Sequence, residues 1–154
     1  MSLSAVPAAV DALLAILRTG LDPNELTVMD GPALTDVPGD VVFVGYQPGD
    51  SVAVNVQQAF AYAGARRRDE EFLIHGLIES RSGDTDMQAR RARTFEILGL
   101  IETALRATDA QPTAPTLNGT VLWAHLTSGD LTQEQTPDGA VVGLAWTISC
   151  QARI

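Results

Sequence analysis

Two histidines and one cysteine are the side chains in this sequence best suited to proton transfer or nucleophilic attack. His75 and His125 each lie in a run of alternating residues, which is typical of a β-strand. Cys150 falls on the apolar side of the last such run, where a thiol behaves as a small buried hydrophobic group. Catalysis by a Ser-His-Asp or Cys-His group requires side chains that converge, and this pattern indicates none. We therefore predict no catalytic residues and no enzymatic activity.

Acidic residues and glycines form no recognisable metal or cofactor motif. Asp84 and Asp86 flank the start of a predicted helix, where capping explains an acidic residue without a metal. The sequence has no cysteine pair, no H-E-x-x-H and no EF-hand pattern. Its glycines mark turns and form neither G-x-G-x-x-G nor a P-loop. We predict that the protein uses neither a metal nor a cofactor.

Trp123 and Trp146 have side chains large enough to line a ligand pocket. Positions in the core or at an interface are the preferred interpretation of both. An alternative of a different class stays open: a small-ligand-binding or enzymatic α+β domain with a pocket near Trp123 and His125. A deep apolar pocket with convergent polar groups favours this alternative, whereas a flat surface with open sheet edges favours a protein that works by contact.

The charge balance argues against a protein that grips nucleic acid. The formal net charge is −9 at pH 7. Arg66-Arg67-Arg68 is followed at once by Asp69-Glu70-Glu71, which indicates a solvated strand end rather than a phosphate site. No apolar run approaches the ~20 residues of a membrane helix, and the N-terminus lacks the basic start of a signal peptide. We expect an intracellular protein without membrane contact.

Periodicity predicts the elements that position these side chains. A strand over residues 69–80 leads through a Ser-Gly-Asp turn, with Asp84 or Thr85 as cap, into a helix over residues 86–107. The buried stripe predicted for this helix is Met87, Phe95, Leu98, Ile101 and Leu105, widened by Ala92, Ile97 and Ala104. A second helix opens the chain, with Ser4 as N-cap and Gly20 at its end.

Shorter alternating or apolar runs predict the other strands, and the order of elements predicts the fold. These runs cover residues 26–29, 41–46, 51–57, 120–127 and 131–136, and a last one covers 142–152. The chain of 154 residues fits a single domain over residues 1–154. We predict an α+β fold, with a mainly antiparallel mixed sheet and two helices packed on one face.

Three polar stretches are candidate contact surfaces. Residues 131–136 indicate an edge strand or a protruding arm, residues 51–57 a half-buried antiparallel strand, and residues 109–118 an exposed loop. All three could support edge pairing between subunits, with an ordinary solvated edge as the alternative for each one alone. The residues predicted to contact another subunit or a tube are Asn55, Gln57, Gln133, Glu134 and Gln135.

Short phrases along nearly the whole chain resemble the tail terminator, or tail-completion, proteins of long-tailed phages and related proteins of actinobacterial prophage-like loci. The phrases are Val6-Pro7-Ala8-Ala9-Val10-Asp11, Asp40-Val41-Val42-Phe43-Val44-Gly45-Tyr46, Gly64-Ala65-Arg66-Arg67-Arg68-Asp69-Glu70-Glu71-Phe72, Ser82-Gly83-Asp84-Thr85-Asp86-Met87, Leu131-Thr132-Gln133-Glu134-Gln135-Thr136 and Ala152-Arg153-Ile154. This is a similarity of layout and contains no active-site motif.

The resemblance implies an α/β subunit that forms a ring, usually a hexamer. Such a ring ends the polymerisation of the tail tube and presents a surface to the head connector. The implied partners are further copies of the chain, the tail tube protein and the head-connector protein, while DNA passes through without specific binding. An acidic subunit agrees with such a passage. The implied location is the cytoplasm during assembly and the virion tail in an active phage.

Overall fold

The computed structural model describes residues 3–35, 37–49, 52–60, 64 and 66–154. Two α-helices and a six-stranded mixed sheet make up the regular structure of these residues, with the helices packed against the sheet. The elements are α1 (Val6–Gly20), β1 (Leu26–Asp30), β2 (Asp40–Val44), β3 (Val54–Phe60), β4 (Arg68–Ser80), α2 (Met87–Ala104), β5 (Trp123–Thr136) and β6 (Gly139–Arg153). The predicted α+β fold is confirmed.

The sheet is built around two long strands, β4 and β6. Its order is β1-β2-β4-β6-β5, and β3 also pairs with β4. Among the described strands, β1 and β2 run parallel and every other pair is antiparallel. β2 pairs with residues 76–79 of β4, and β3 pairs with residues 68–74. The two short strands therefore follow one another along the same edge of β4.

One face of the sheet carries the main core. Phe72, Ile74 and Ile78 of β4 are buried on this face, as their alternation predicts. They belong to one cluster with apolar side chains of α1 and α2. Gly76 lies on the same face under the indole of Trp146, which a Cβ at this position would overlap. The glycine makes room for a large side chain in the middle of the core.

The face of α2 that meets the sheet differs from the predicted one. Phe95, expected in the buried stripe, is 51% exposed, and Leu98 is partly buried. The buried residues of the helix are Thr94, Ile97, Ile101 and Ala104. The prediction is therefore wrong for Phe95 and Ala92, whereas Ile97, Ile101, Ala104 and Leu105 are buried as predicted.

Polar contacts explain the rotation of α2. Arg93 Nε donates to an Asp40 carboxylate oxygen at 2.8 Å, and Arg90 Nη1 donates to Ser80 Oγ at 3.1 Å. Neither arginine belongs to the predicted apolar stripe, yet their bonds turn this side of the helix toward the sheet. Thr94 can be buried beside them because its hydroxyl donates to a backbone carbonyl three residues earlier.

The start of α2 is capped by a residue other than the two predicted. Asp86 accepts a hydrogen bond from the Ala89 backbone N–H at 3.0 Å. Asp84 and Thr85 lie before this cap, so both capping predictions are wrong. Thr85, predicted because it has the capping-box spacing with Gln88, lies one residue before the cap, and the structure does not use this box.

The start of α1 is held by a buried carboxylate from β4. Glu70 has no exposed surface and accepts a hydrogen bond from the Ala5 backbone N–H at 2.8 Å. It also accepts from the Gln58 side-chain amide. A negative charge is favourable at a helix N-terminus. The predicted solvated strand end is therefore wrong for Glu70. Ser4, the predicted N-cap, accepts from the Val6 backbone N–H at 3.1 Å, next to the cap at Ala5.

The opposite face of the sheet is covered at one end. Val41, Phe43 and Leu77 form a small buried cluster there, and Met29 and Ala33 pack against it. β2 is consequently buried on both faces, as its continuous apolar run predicts. At the other end, beside β3, side chains on this face are largely exposed. The sheet thus has one covered half and one open half on the side away from the helices.

Three predicted segments differ from the structure. β3 is antiparallel as expected, but Asn55–Phe60 are exposed where a half-buried strand was predicted, and residue 51 lies outside the described residues. β5 is one strand of 14 residues where two were predicted, and a bulge at Thr127 keeps it paired with β6. Residues 131–136 form an edge rather than a protruding arm. The loop over residues 109–118 buries Ala114 and contains a short 3₁₀ helix, so it is not wholly exposed.

Candidate functional site

Side chains from four strands form a polar and aromatic surface beside β3, on the side of the sheet away from the helices. The strand register arranges them in cross-strand rows. The first row is Gln57, Glu71, Gln151 and Trp123, the second is Asn55, Leu73, Ser149 and His125, and a third contains His75 and Thr147. We call these residues the open face.

His75 is held on both sides within the open face. Its Nε2 lies 3.1 Å from Asn55 Nδ2, and its Nδ1 lies 3.2 Å from Thr147 Oγ1. The Asn55 amide and the Thr147 hydroxyl therefore each lie within hydrogen-bond distance of one ring nitrogen. Both ring nitrogens are engaged, which agrees with the interpretation of His75 as a strand residue.

Trp123 and His125 stack on one another at the β5 side of the open face. Their ring centroids are 4.9 Å apart and the rings are inclined by 27°. Trp123 Nε1 donates to Gln151 Oε1 at 2.9 Å, and the residue is 37% exposed. Trp146 lies instead in the main core, where its buried indole N–H has no partner among the described residues. Trp123 is therefore the tryptophan with surface for a ligand or partner.

A cavity of about 310 Å³ lies on the open face. The side chains around it are Trp123, Leu73, Asn55, Gln57, Glu71 and Ser149. An aromatic and apolar wall with a few polar groups is the usual composition of a binding site, and this volume is at the small end of the usual range. Glu71 forms no ion pair with the described residues. The cavity therefore contains an uncompensated carboxylate beside an indole.

His125 borders a different depression from the one beside Trp123. This second depression, of about 520 Å³, is also lined by Arg106 and Pro115. Ala124 of the main core and Leu126, which packs against it, also line this depression, so it lies on the helix side of β5, whereas the cavity beside Trp123 lies on the open face. The alternative pocket expected near Trp123 and His125 corresponds to two sites rather than one.

The predicted contact residues of β5 lie far along the strand from Trp123. Gln133 Oε1 accepts from Arg91 Nη1 at 2.8 Å, and Gln135 Nε2 donates to the Thr85 carbonyl at 3.1 Å. Glu134, between them, is exposed. The structure does not bring these three residues together with the predicted contact residues of β3, since the two groups lie at opposite ends of the sheet.

β3 exposes both of its faces and one of its edges. Val56 is 49% and Phe60 65% exposed, and β4 is its partner among the described strands. No residue of β3 is charged. Edge strands are usually protected by charge, proline, a bulge or very short length, and β3 has neither charge, proline nor bulge over seven residues. The sequence prediction ended this strand at Gln57 and missed Phe60, although the uncharged run ending in a phenylalanine was the available signal.

Unpaired positive charge lies at the same end of the sheet. Arg66 and Arg67 are exposed and form no ion pair with the described residues. Nearby, Arg153 Nε donates to Asp69 Oδ1 at 2.7 Å, and this bond raises the pKa of Arg153.

On the helix-covered face, burial raises the pKa of the Cys150 thiol to about 12. Cys150 is therefore protonated near neutral pH and lacks the thiolate character of a nucleophile.

The described residues show no candidate metal site and no membrane-spanning helix. In the part of the chain that the structure describes, no three His, Cys, Asp or Glu side chains are grouped so that they could hold a metal ion. No helix there combines the length and apolar character needed to cross a membrane. No protein-family model matches the chain, and no curated protein matches it. The candidate site is consequently defined by the geometry of β3 and the open face.

Proposed function

We propose that this chain is a subunit of the ring that caps the tail tube of a long-tailed phage or prophage-like system. The ring ends tube polymerisation and forms the interface to the head connector. β3 is the observation that carries the proposal, because it is an uncharged edge strand with both faces exposed. An unprotected edge readily pairs with another chain. The resemblance in layout to tail terminator proteins supplies the identity of the assembly.

The positions of the sheet edges agree with a ring. β3 lies at one margin of the sheet and β5 at the other. A contact between these two different edges is head-to-tail. Head-to-tail contacts produce a ring when the rotations between successive subunits add up to a full turn. The steps from β3 to β4, β6 and β5 are all antiparallel, so β3 and β5 run in opposite directions. Neighbours of the same orientation can therefore join these edges as an antiparallel pair.

The charge of the chain agrees with the passage of DNA through such a ring. A formal charge of −9 per copy, repeated around a closed ring, repels phosphate along a channel. The isolated subunit should accordingly show no appreciable affinity for DNA even at low salt. Tight binding measured by fluorescence anisotropy in 20–50 mM salt, on the order of micromolar, would argue against a passive channel.

Electron microscopy of the purified protein, alone and with its cognate tail tube, tests the proposal. We expect rings, or a closed collar at one end of each tube, and tubes of limited length. The tube is included because it can template the ring when free subunits do not assemble. A monomeric protein that neither caps tubes nor limits their growth would exclude this function.

The cavity beside Trp123 supports a second candidate function, the binding of a small ligand by an α+β domain. Its indole wall and polar side chains are the observation in favour. This candidate predicts a monomer whose thermal unfolding midpoint rises with a ligand and whose Trp123→Ala variant loses that response. It becomes the preferred function when the tube experiments give no cap.

A further inference from the structure

The cavity on the open face has the chemistry of a site for a cationic side chain. It combines the Trp123 indole with the Glu71 carboxylate, which has no ion pair among the described residues, and with side-chain amides. A guanidinium group is attracted to the face of an indole and forms directed hydrogen bonds with a carboxylate. A neutral apolar ligand would instead leave the carboxylate desolvated and unpaired, which is unfavourable. The cavity therefore selects for positive charge.

The chain itself carries guanidinium groups for which the described residues show no side-chain partner. Seven of the ten arginines bond a side chain of the same subunit: Arg68, Arg81, Arg90, Arg91, Arg93, Arg106 and Arg153. Of the other three, Arg18 lies in α1, whereas Arg66 and Arg67 lie in the connection between β3 and β4. These two are exposed next to the edge strand that the proposed function assigns to the ring contact.

We propose that the cavity beside Trp123 and Glu71 binds Arg66 or Arg67 of a second copy of this chain. Arg66 and Arg67 of one subunit then contact the open face of the next. This inference rests on the proposed function, because it names a contact that builds the ring. Donor and acceptor are different surfaces, so the contact is head-to-tail and can repeat around a ring.

The structure does not place Arg66 or Arg67 in an ion pair with Glu71 of the same subunit. Both arginines are exposed. The charge complementarity between the cavity and these two arginines is therefore available to a neighbour.

Charge reversal tests the contact in both directions. Glu71→Arg and the double change Arg66→Glu with Arg67→Glu should each weaken self-association at least tenfold in sedimentation equilibrium. Each variant alone places like charges at the contact. An equimolar mixture of the two variants should recover association, because each donor then meets a cavity of opposite charge. Recovery on mixing is a result that a purely structural role of these residues would not give.

Matched controls separate the contact from general effects of charge and folding. Asp11→Arg makes the same charge change at an exposed position of α1 and should leave association unchanged. Circular dichroism checks that every variant is folded, as expected for exposed positions. Trp123→Leu should weaken association while all charges are kept, and the double change of Arg66 and Arg67 to Lys should have a smaller effect than charge reversal.

The outcomes distinguish this inference from the function on which it rests. Where the free protein does not associate, the same variants are compared for the capping of cognate tail tubes. Tubes capped equally well by wild type and by Glu71→Arg would overturn the arginine contact and leave the function standing. Charge-dependent association without any effect on tubes would support the contact and exclude the function. A protein that neither associates nor caps tubes overturns both.

Discussion

β2 and β3 lie end to end along the same edge of β4, yet one belongs to the core and the other to the surface. Residues 41–44 of β2 are buried, whereas residues 55–60 of β3 are exposed. Both strands pair with β4 in antiparallel register, so backbone hydrogen bonding does not distinguish them. The two strands differ in how far their side chains are buried. Both clusters of buried apolar side chains include residues of β2, whereas Val54 is the one described residue of β3 that packs against a cluster.

The comparison separates the position of a strand from its environment. Pairing with β4 sets where each strand lies. Whether a strand is shielded from solvent depends on the helices and on the segment after β1, which cover β2. The covered strand contributes to stability through apolar burial. The uncovered strand contributes little to stability and is free to make contacts with another chain. The proposed ring contact uses the half of the edge that the fold does not need to bury.

Two phenylalanines test this difference most strongly. Phe43 in β2 is 6% exposed and packs edge-to-face on Tyr46, with ring centroids 5.3 Å apart. Phe60 in β3 is 65% exposed. Phe43→Ala should lower the free energy of unfolding by about 3–5 kcal/mol through lost burial and a residual cavity. Phe60→Ala should change it by no more than about 0.5 kcal/mol. Urea denaturation followed by circular dichroism measures both.

The same pair of variants also separates stability from assembly. Phe60→Ala should weaken self-association or tube capping, although the subunit stays folded. Equal losses of stability in the two variants would show that β3 is covered in the isolated subunit. In that case the comparison between the two strands would fail, and with it the argument for β3 as a contact strand.

Removing a carboxylate at either end of the sheet should give a smaller difference in stability than the two phenylalanine variants. Asp40, at the start of β2, accepts from Arg93 at 2.8 Å and from Ser80 Oγ at 2.6 Å, with 14% of its side chain exposed. Asp40→Asn should cost about 1.5–3 kcal/mol, the usual range for hydrogen bonds to a charged group. Asp69→Asn, which removes the exposed pair with Arg153 near β3, should leave the unfolding midpoint unchanged within error.

Above neutral pH, the stability that Asp40 and Arg93 contribute together should depend on pH only at strongly alkaline values. The hydrogen bond with Asp40 raises the pKa of Arg93 above its ordinary value, and the charges of Asp40, Glu96 and Glu25 add to this shift. A raised pKa of a cation contributes stability that is fully present below its ordinary value and is lost only as pH rises through the folded value. The arginine contribution should therefore be equal at pH 7 and pH 10. A difference between wild type and Asp40→Asn that shrinks steadily over this range would contradict the assignment.

Much of the covered half of the molecule follows from local sequence patterns. Alternation in β4 predicted which of its side chains meet the helices, and the apolar run of β2 predicted burial on both faces. The rotation of α2 was not predictable in this way, because it depends on Arg93 meeting Asp40, 53 residues away. The buried Glu70 was missed for the same reason, since its partner Ala5 is 65 residues distant.

The open face was predictable in its parts but not in its arrangement. Asn55 and Gln57 were expected at a contact surface, and Trp123 was considered for a pocket. Glu71 was assigned to a solvated strand end because it follows three arginines. Its place beside Gln151 and Trp123 depends on the registers of β4, β6 and β5, which join residues far apart in sequence. A window of local sequence contains no information about such a row.

Cys150 tests whether the open end of the sheet is open on one face or on both. It lies opposite Phe72 on the helix-covered side, and burial raises its pKa from 9.0 to about 12. A raised folded pKa means that this contribution to stability is fully present below pH 9 and is lost as pH rises toward 12. Between these values wild type should lose about 1.4 kcal/mol per pH unit relative to Cys150→Ala, which has no thiol to ionise. Urea denaturation at several pH values from 7 to 11 measures the difference. Two outcomes would show that solvent also reaches the helix-covered face: an equal pH dependence of the free energy of unfolding in the two proteins, or rapid alkylation of the native thiol at pH 8. In either case β3 would lie at the margin of a loosely packed end of the sheet, and not beside a dry core.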